Sequence, residues 1–290
     1  MRIEEITAST RLCGIIGDPV EHSVSPAMHN AAFSHLNLNY VYLPFHVSKE
    51  NLPGAIAGIR SLNFKGVNIT VPHKSAVIPY LDEIDTLAEG IGAVNTIVNE
   101  NRILRGYNTD APGFLHMLLL EGIDPSQKKI AILGAGGAAK AIAFILADKG
   151  SRLTILNRHL ERAEKLAGAI LHTFRKDVVA RELNEKNLRV TLEDSEILIN
   201  TTSVGMFPHS TEILVPPDML RSGLTVIDII YNPPKTRLLV EAEKRGLKTI
   251  NGVDMLVAQG AIAFNLWTGK EAPLLEMKSA VTRALKAYED

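Results

Sequence analysis

A strand-like run at residues 66–76, GVNITVPHKSA, carries polar side chains among apolar ones and ends near a lysine. Asn68 and Thr70 alternate with apolar residues as far as Val71, so an extended chain would present the two polar side chains on one face and the apolar ones on the other. Lys74 follows in a Pro-His-Lys turn. An ammonium group beside neutral hydrogen-bonding groups can give a proton to a bound small molecule or stabilise negative charge that develops on it. The run therefore predicts a strand that is half core and half site.

Two neighbouring residues of this turn compete for the titrating role. His73 carries the side chain whose charge changes nearest neutral pH. Lys74 follows a proline turn and, judged from the residues alone, is best interpreted as a solvated surface charge. Judged from the residues alone, His73 is therefore the first choice for the titrating group.

A second polar stretch, EHSVSPAMHN, places Ser23 and Ser25 two residues apart, so that both hydroxyls point the same way in an extended segment. Pro26 suits the first position of a helix. Ser25 before it is a good helix N-cap, and capping alone would account for this residue. Two parallel hydroxyls beside helix N–H groups would also suit a ligand rich in oxygen.

Further polar groups occur where later elements begin or end. Asn95 lies in the β-like run GAVNT, and Asp110 lies in GYNTDAPG, where it is placed to cap the following helix. Each of these residue types is more often a turn former or a cap than a ligand contact. Several of them at the ends of adjacent elements favour a binding site.

The segment LGAGGAAKA fits the dinucleotide-binding turn G-x-G-x-x-A, with Gly134, Gly136 and Ala139 at its three positions. It directly follows the strand-like KKIAIL and precedes an apolar helix, as that turn requires. The first glycine permits a tight turn, the second lets a pyrophosphate approach the backbone, and the helix N-terminus favours phosphate. A glycine-rich turn without a ligand is the weaker alternative. We also assign the intervening Ala135, Gly137 and Ala138 to the cofactor turn.

The residues that follow the next strand indicate which dinucleotide is bound. About twenty residues beyond the first glycine, an NAD enzyme places an Asp or Glu against the ribose 2′-hydroxyl. This chain has Asn157 and Arg158 there, with Arg162 one turn later. Guanidinium groups suit a 2′-phosphate, so the sequence predicts NADP. Alternatively, both arginines pair with Glu161 and Glu164 on an exposed helix face.

Apolar runs of strand length alternate with helical segments along the chain, which is typical of an α/β fold. A helical run beginning at Asp110 ends in the turn GIDPS, which marks a boundary. We therefore predict one domain at residues 1–110, completed by C-terminal helices at 255–290, and a second at 111–254. In the second, strand–helix alternation predicts a doubly wound parallel sheet.

Composition narrows the possible partners. The formal net charge is −1, without the basic excess that nucleic acid or an anionic membrane surface would favour. The single cysteine, Cys13, excludes an intramolecular disulfide framework and suits a reducing compartment. The N-terminal residues lack the apolar core of a signal peptide, and the histidines have no metal-binding spacing. We expect a cytoplasmic protein without a metal that acts on a small molecule.

Taken together, HSVSP, NITVPHK, GAVNT, NTD, GAGGAA, NR and NGVDMLVAQGA resemble the shikimate dehydrogenase family, in order and over nearly the whole chain. The resemblance implies an N-terminal α/β substrate domain followed by an NADP-binding Rossmann-like domain. It also implies NADPH-dependent reduction of 3-dehydroshikimate to shikimate, in aromatic amino-acid biosynthesis. The family also implies a monomer or a homodimer.

The resemblance assigns roles to individual residues. The implied catalytic pair is Lys74 as proton donor and Asp110, which would orient it and bind a substrate hydroxyl; His73 becomes a bystander. The implied substrate-binding residues are Ser23, Ser25, Asn68, Thr70, Lys74, Asn95, Asp110, Tyr231 and Gln259. The implied cofactor-binding residues beyond the glycine turn and Asn157, Arg158 and Arg162 are Thr201, Ile229 and Gly252.

Two other functions stay open at this point. A quinate/shikimate dehydrogenase with NAD or dual cofactor use would share most of these residues. A non-catalytic NADP-sensing module would keep GAGGAA but would need neither Lys74 nor Asp110.

Overall fold

The computed structural model describes residues 6–287, which form two compact units. The first unit contains the residues up to Gly113 and those from Val257 onward, and the second contains Phe114–Leu256. Each unit has its own six-stranded sheet. In the described part of the chain, no helix is both long enough and apolar enough to cross a membrane.

The first unit is built on a mixed sheet with strand order β2-β1-β3-β5-β6-β4. Its strands are β1 (Arg11–Gly17), β2 (Tyr40–His46), β3 (Gly66–Ile69), β4 (Glu83–Ile84), β5 (Thr96–Glu100) and β6 (Ile103–Tyr107). Strand β3 pairs in parallel with β1 and antiparallel with β5, and β5 pairs antiparallel with β6. One end of the sheet therefore carries the carboxyl ends of β1, β3 and β6 and the amino end of β5. We call this end of the strands the strand edge.

Helices at both ends of the chain complete this unit. They are α1 (Ser25–His35), α2 (Leu52–Ser61), α3 (Thr86–Ile91) and α10 (Leu274–Lys286), together with the start of α4 (Asp110–Leu120) and all but the first turn of α9 (Val253–Thr268). The C-terminal segment is helical, as its pattern predicts. Trp267 of α9 is 1% exposed and its Nε1 donates to the carbonyl oxygen of Ile97, 3.0 Å away, in the middle of the sheet. The core of this unit thus combines side chains more than a hundred residues apart in sequence.

The second unit has an entirely parallel sheet with strand order β12-β11-β10-β7-β8-β9. Its strands are β7 (Lys129–Leu133), β8 (Arg152–Asn157), β9 (Val179–Glu182), β10 (Ile197–Asn200), β11 (Thr225–Asp228) and β12 (Thr249–Ile250). Its helices are α5 (Gly137–Asp148), α6 (Leu160–Phe174), α7 (Glu185–Leu192) and α8 (Arg237–Glu243). Counted from β7, this is the doubly wound order of dinucleotide-binding folds, so that prediction is confirmed.

Three local predictions differ from the structure. Strand β3 ends at Ile69, and the side chain of Val71 is 65% exposed instead of facing the core. Ser25 is the first residue of α1 and Val24 occupies its N-cap, without a side-chain cap. Asn108, not Asp110, caps α4, because its Oδ1 accepts from the backbone N–H of Ala111 at 3.1 Å. The side chain of Asp110 is therefore not used as a cap.

Candidate active site

The centre of the site in the first unit is an ion pair between Lys74 and Asp110. Nζ of Lys74 lies 2.5 Å from Oδ2 of Asp110, and the two side chains are 15% and 8% exposed. Lys74 follows β3 and Asp110 begins α4 after β6, so both lie at the edge where these strands end. The backbone carbonyl of Lys74 also accepts from the N–H of Val94 at 2.8 Å, which fixes the turn.

Asn95, just before β5, connects this pair to its surroundings. Its Oδ1 accepts from the backbone N–H of Thr109 at 2.7 Å, which requires that Nδ2 point the other way. Nδ2 donates to Oδ1 of Asp110 at 2.9 Å and lies 3.3 Å from Oε1 of Gln259. Both carboxylate oxygens of Asp110 are therefore held, one by an ammonium group and one by an amide.

Asn68, in β3, is 6% exposed and belongs to the same network. Its Nδ2 donates to the carbonyl oxygen of Asn95 at 3.2 Å and to Oγ1 of Thr96 at 3.0 Å. Its Oδ1 accepts from the hydroxyl of Tyr42 at 2.7 Å. Tyr42, Thr96 and also Thr109 are parts of the network that were not among the predicted site residues.

The other predicted substrate residues of the first unit lie on neighbouring segments. Oγ of Ser23 accepts from the backbone N–H of Ser25 at 3.3 Å, in the loop between β1 and α1. Thr70 directly follows β3, and its N–H donates to the carbonyl oxygen of Ile16 in β1 at 2.9 Å. These residues share the strand edge that carries the Lys74–Asp110 pair.

His73 is fully buried. The turn that carries Lys74 is therefore not the exposed surface turn that the residues alone would allow. Nε2 of His73 lies 2.6 Å from the carbonyl oxygen of Val47, and because that oxygen can only accept, Nε2 carries the proton. The imidazole therefore ties the turn after β3 to the segment after β2. This contact gives His73 a role in packing.

In the second unit, the glycine-rich turn joins β7 to α5. Gly134 has a φ of +106°, a conformation that favours glycine, and a Cβ there would lie 2.7 Å from Oγ1 of Thr201. Gly136 is the N-cap of α5, where no side chain caps the first turn, and a Cβ on it would meet nothing within 4 Å. The first N–H groups of α5 and the open approach at Gly136 fit a pyrophosphate.

The residues that would distinguish the two dinucleotides follow β8. Nδ2 of Asn157 donates to the carbonyl oxygen of His159 at 2.8 Å, which shapes the turn into α6. Arg158 and Arg162 are exposed. Within residues 6–287, neither guanidinium forms an ion pair with Glu161 or Glu164, in contrast to the alternative that the sequence allowed.

The remaining predicted cofactor residues follow the other strands of the parallel sheet. The hydroxyl of Thr201 donates to the carbonyl oxygen of Leu133 at 2.6 Å, and the N–H of Ile229 donates to that of Asn200 at 3.1 Å. A Cβ on Gly252 would lie 2.0 Å from the carbonyl oxygen of Ile229, so only glycine fits there. All these segments follow carboxyl ends of strands, which is where ligands bind in such folds.

A buried carboxylate, Asp228, connects two of these segments. Its Oδ1 accepts from Nδ2 of Asn200 and from the N–H of Ile230, both at 3.1 Å, and its Oδ2 accepts from the hydroxyl of Thr236 at 2.8 Å. Burial raises the pKa of Asp228 to about 6, although the three hydrogen bonds act in the opposite direction. Tyr231, three residues further on, is half-buried in the second unit.

The order of the parallel sheet and the glycine turn before α5 define the nucleotide-binding unit of a dehydrogenase, and the first unit carries a lysine–carboxylate pair suited to proton transfer. The sequence matches three family models: the shikimate dehydrogenase substrate binding domain at residues 15–97, shikimate / quinate 5-dehydrogenase at 118–231, and the shikimate 5′-dehydrogenase C-terminal domain at 252–282. The chain belongs to the shikimate dehydrogenase family.

Similar proteins support this assignment along the full chain. A shikimate dehydrogenase (NADP(+)) of Moorella thermoacetica is 49% identical over 284 residues, covering 98% of this chain and 96% of that protein. The crystal structure of a shikimate dehydrogenase in complex with NADP+ has a TM-score of 0.92 at 46% identity and covers 97% of each chain. Shikimate 5-dehydrogenase of Listeria monocytogenes in complex with shikimate and NAD has a TM-score of 0.87 at 42% identity, covering 94% of this chain and 97% of that one.

Proposed function

We propose that this protein is an NADP-dependent shikimate dehydrogenase, which catalyses the reversible reduction of 3-dehydroshikimate to shikimate. The observation that carries the proposal is the buried Lys74–Asp110 ion pair, held in a polar network at the strand edge of the first unit. The relatives named for NADP(+) and the lack of an acidic residue at positions 157 and 158 support the choice of cofactor.

In this reaction the protein has to supply a proton to one substrate oxygen atom, or remove it in the reverse direction. When bound, NADPH would supply the hydride for the ketone carbon. In this direction Lys74 gives a proton to the substrate oxygen and becomes a neutral amine, since an ammonium group has three N–H donors and Asp110 engages only one of them. In the other direction the neutral amine takes the proton back. Asp110 orients Lys74 and accepts from a substrate hydroxyl.

Substrate binding is assigned to the polar residues of the first unit. Asn68 keeps acceptor capacity on Oδ1 after its bond with Tyr42, so it can receive a substrate hydroxyl. Asn95 keeps its proposed substrate contact, and its bond with Asp110 also supports a role in orienting that carboxylate. We assign further substrate contacts to Ser23, Ser25, Thr70 and Gln259. Tyr231, which belongs to the second unit, stays a prediction from the family resemblance.

NADP binding is assigned to the second unit. The turn at residues 134–138 and the first N–H groups of α5 would hold the pyrophosphate. Arg158 and Arg162, with Asn157, would hold the 2′-phosphate, since guanidinium groups donate to phosphate in a fixed fork. Thr201, Ile229 and Gly252 would line the site at the other strand ends.

A rate comparison tests the function directly. Purified protein is mixed with shikimate or quinate and with NADP+ or NAD+, and the absorbance of the reduced nicotinamide is followed. We expect the fastest rate with shikimate and NADP+. A faster rate with quinate and NAD+ would favour the quinate/shikimate dehydrogenase, and NADP+ binding without turnover of either acid would favour a non-catalytic module.

Two further properties stay predictions. We propose that the enzyme works in the cytoplasm, since it belongs to a biosynthetic reaction and its one cysteine, Cys13, is a buried free thiol. Fractionation of cells that produce a tagged chain tests this. Light scattering after size exclusion would distinguish a monomer from a homodimer.

A further inference from the structure

The orientation of the Asn68 amide is determined by its neighbours. One side of the amide faces the carbonyl oxygen of Asn95 at 3.2 Å. Because a carbonyl oxygen can only accept a hydrogen bond, Nδ2 must be on that side. Oδ1 therefore faces the hydroxyl of Tyr42 at 2.7 Å, and the hydroxyl must donate to it.

From Asn68 the donors continue in one direction toward the ion pair. Nδ2 of Asn68 donates to Oγ1 of Thr96 at 3.0 Å, and that hydroxyl donates to Oδ1 of Asn95 at 3.2 Å. Nδ2 of Asn95 then donates to Oδ1 of Asp110 at 2.9 Å, and Lys74 donates to the other carboxylate oxygen. A continuous donor chain, defined as Tyr42–Asn68–Thr96–Asn95–Asp110, thus ends on the catalytic carboxylate.

The first donor of this chain is held rigidly. Tyr42 is fully buried in β2, and its ring stacks on that of His29 with centroids 4.5 Å apart and an interplanar angle of 17°. The indole of Trp267 packs against the same tyrosine at 5.9 Å. An aromatic ring packed in this way keeps its hydroxyl at one position.

We propose that Tyr42 is a positioning residue for substrate binding. The carbonyl oxygen of Asn95 determines which way the Asn68 amide faces, and the Tyr42 hydroxyl holds Oδ1 in place, with the remaining acceptor capacity of Oδ1 available to a substrate hydroxyl. This inference rests on the proposed function, since it needs Asn68 to contact the substrate. Tyr42 itself lies behind Asn68 in the core and acts through it. The donor chain also couples the orientation of Asn68 to that of Asp110.

Tyr42→Phe removes the hydroxyl and keeps the stacked ring. Because Oδ1 of Asn68 then loses one hydrogen bond that holds it in place, we expect KM for shikimate to rise roughly fivefold to tenfold. KM for NADP+ should change less than about twofold, because the second unit binds it. Thr96→Val, which breaks the chain at its next link, should give the same pattern, and Thr96→Ser should restore normal values.

Tyr40→Phe is a matched control on the same strand. The hydroxyl of Tyr40 accepts from Arg11 at 3.1 Å and lies 3.5 Å from the carbonyl oxygen of Trp267, so it belongs to the core but not to the donor chain. If the inference holds, Tyr42→Phe raises KM for shikimate and Tyr40→Phe does not, at comparable melting temperatures.

The other possible results contradict either this inference or the proposed function. If the wild type is active and Tyr42→Phe has the same KM for shikimate as Tyr40→Phe, Tyr42 has no positioning role and the proposed function stands. If Tyr42→Phe raises KM for shikimate and KM for NADP+ together and also loses thermal stability, Tyr42 is only structural and the inference is wrong. If the wild-type chain does not turn over shikimate, the proposed function fails and this inference fails with it.

Discussion

Nδ2 of Asn95 lies 2.9 Å from Oδ1 of Asp110, on the side of the carboxylate opposite Lys74. The carboxylate therefore keeps a hydrogen-bond donor even when the lysine is removed. A substitution at Lys74 should change the chemistry of the site while the fold around Asp110 persists.

Lys74→Ala should lower kcat by about a hundredfold or more, the effect expected for the loss of a proton donor. Its affinity for NADP+, measured by fluorescence titration, should remain normal. Lys65→Ala is the control, because this lysine directly precedes β3, the strand that Lys74 follows. Its ammonium group lies 4.0 Å from Glu100 in an ion pair away from the site. If Lys74→Ala were active and His73→Phe inactive, the two roles would have to be exchanged.

Arg158→Ala should raise KM for NADP+ roughly tenfold, because one charge-assisted hydrogen bond contributes about 1.5 kcal/mol or more. KM for NAD+, which has no 2′-phosphate, should not change. Arg152→Ala removes an exposed arginine at the other end of β8 and should affect neither value. Equal effects on both dinucleotides would contradict recognition of the phosphate by Arg158.

His29 should make the protein sensitive to acid. Burial lowers the pKa of His29 from 6.5 to about 3, and both ring nitrogens lack a hydrogen-bond partner. Below pH 6.5 the unfolded chain binds a proton that the folded chain cannot, so this group reduces the free energy of unfolding as the pH falls. His29→Phe should remove about 2 kcal/mol of the stability loss between pH 7 and pH 5.

Chemical denaturation at both pH values measures this difference for the wild type and the variant. The same replacement at His116, an exposed residue of α4, serves as the control. An unchanged loss of stability in His29→Phe would mean that His29 is protonated in the folded state.

Asp228 should act in the opposite direction. Its pKa is raised from 3.8 to about 6 by burial, so the folded chain retains a proton that the unfolded chain releases between these values. The stability it provides is complete below pH 4 and is lost as the pH rises through 6, by about 3 kcal/mol. Asp228→Asn keeps an acceptor for Asn200 and Ile230 without the charge, and should therefore melt at a higher temperature at pH 7.5.

Near pH 4 the melting temperatures of the wild type and Asp228→Asn should converge. Asp228→Leu has no acceptor and should be less stable at every pH, because the N–H of Ile230 would be buried without a partner. A lower melting temperature for Asp228→Asn at pH 7.5 would show that the carboxylate charge stabilises the fold.

The alternation of apolar runs was sufficient to predict the second sheet, and the spacing of Gly134 and Gly136 was sufficient to predict the turn before α5. Local chemistry was less reliable at element ends. Asp110 and Asn108 are both good caps, and the choice between them depends on Lys74, which is 36 residues away and takes the carboxylate of Asp110. Such competition between a local and a distant partner cannot be decided from neighbouring residues.

Tyr42 gave no signal in the sequence, since a tyrosine in a strand is most often part of a core. Its contact with Asn68 depends on the registers of β2 and β3 against β1 between them. The bond between Asn95 and Gln259 spans 164 residues and needs α9 to reach the first sheet. Lys74 and Asp110 could be predicted as catalytic residues only from the family resemblance. Judged by residue type alone, Lys74 could be a surface charge and Asp110 a helix cap.

Trp267 donates to the carbonyl oxygen of Ile97, and a Cβ on Gly66 would lie 2.3 Å from its Nε1, so the indole occupies the centre of the first unit. On the ribosome, residues 114–256 emerge before this tryptophan does. The nucleotide unit can therefore fold while the first sheet still has an uncovered apolar face. A segment that is synthesised after the nucleotide unit is thus needed to complete the unit that was begun before it.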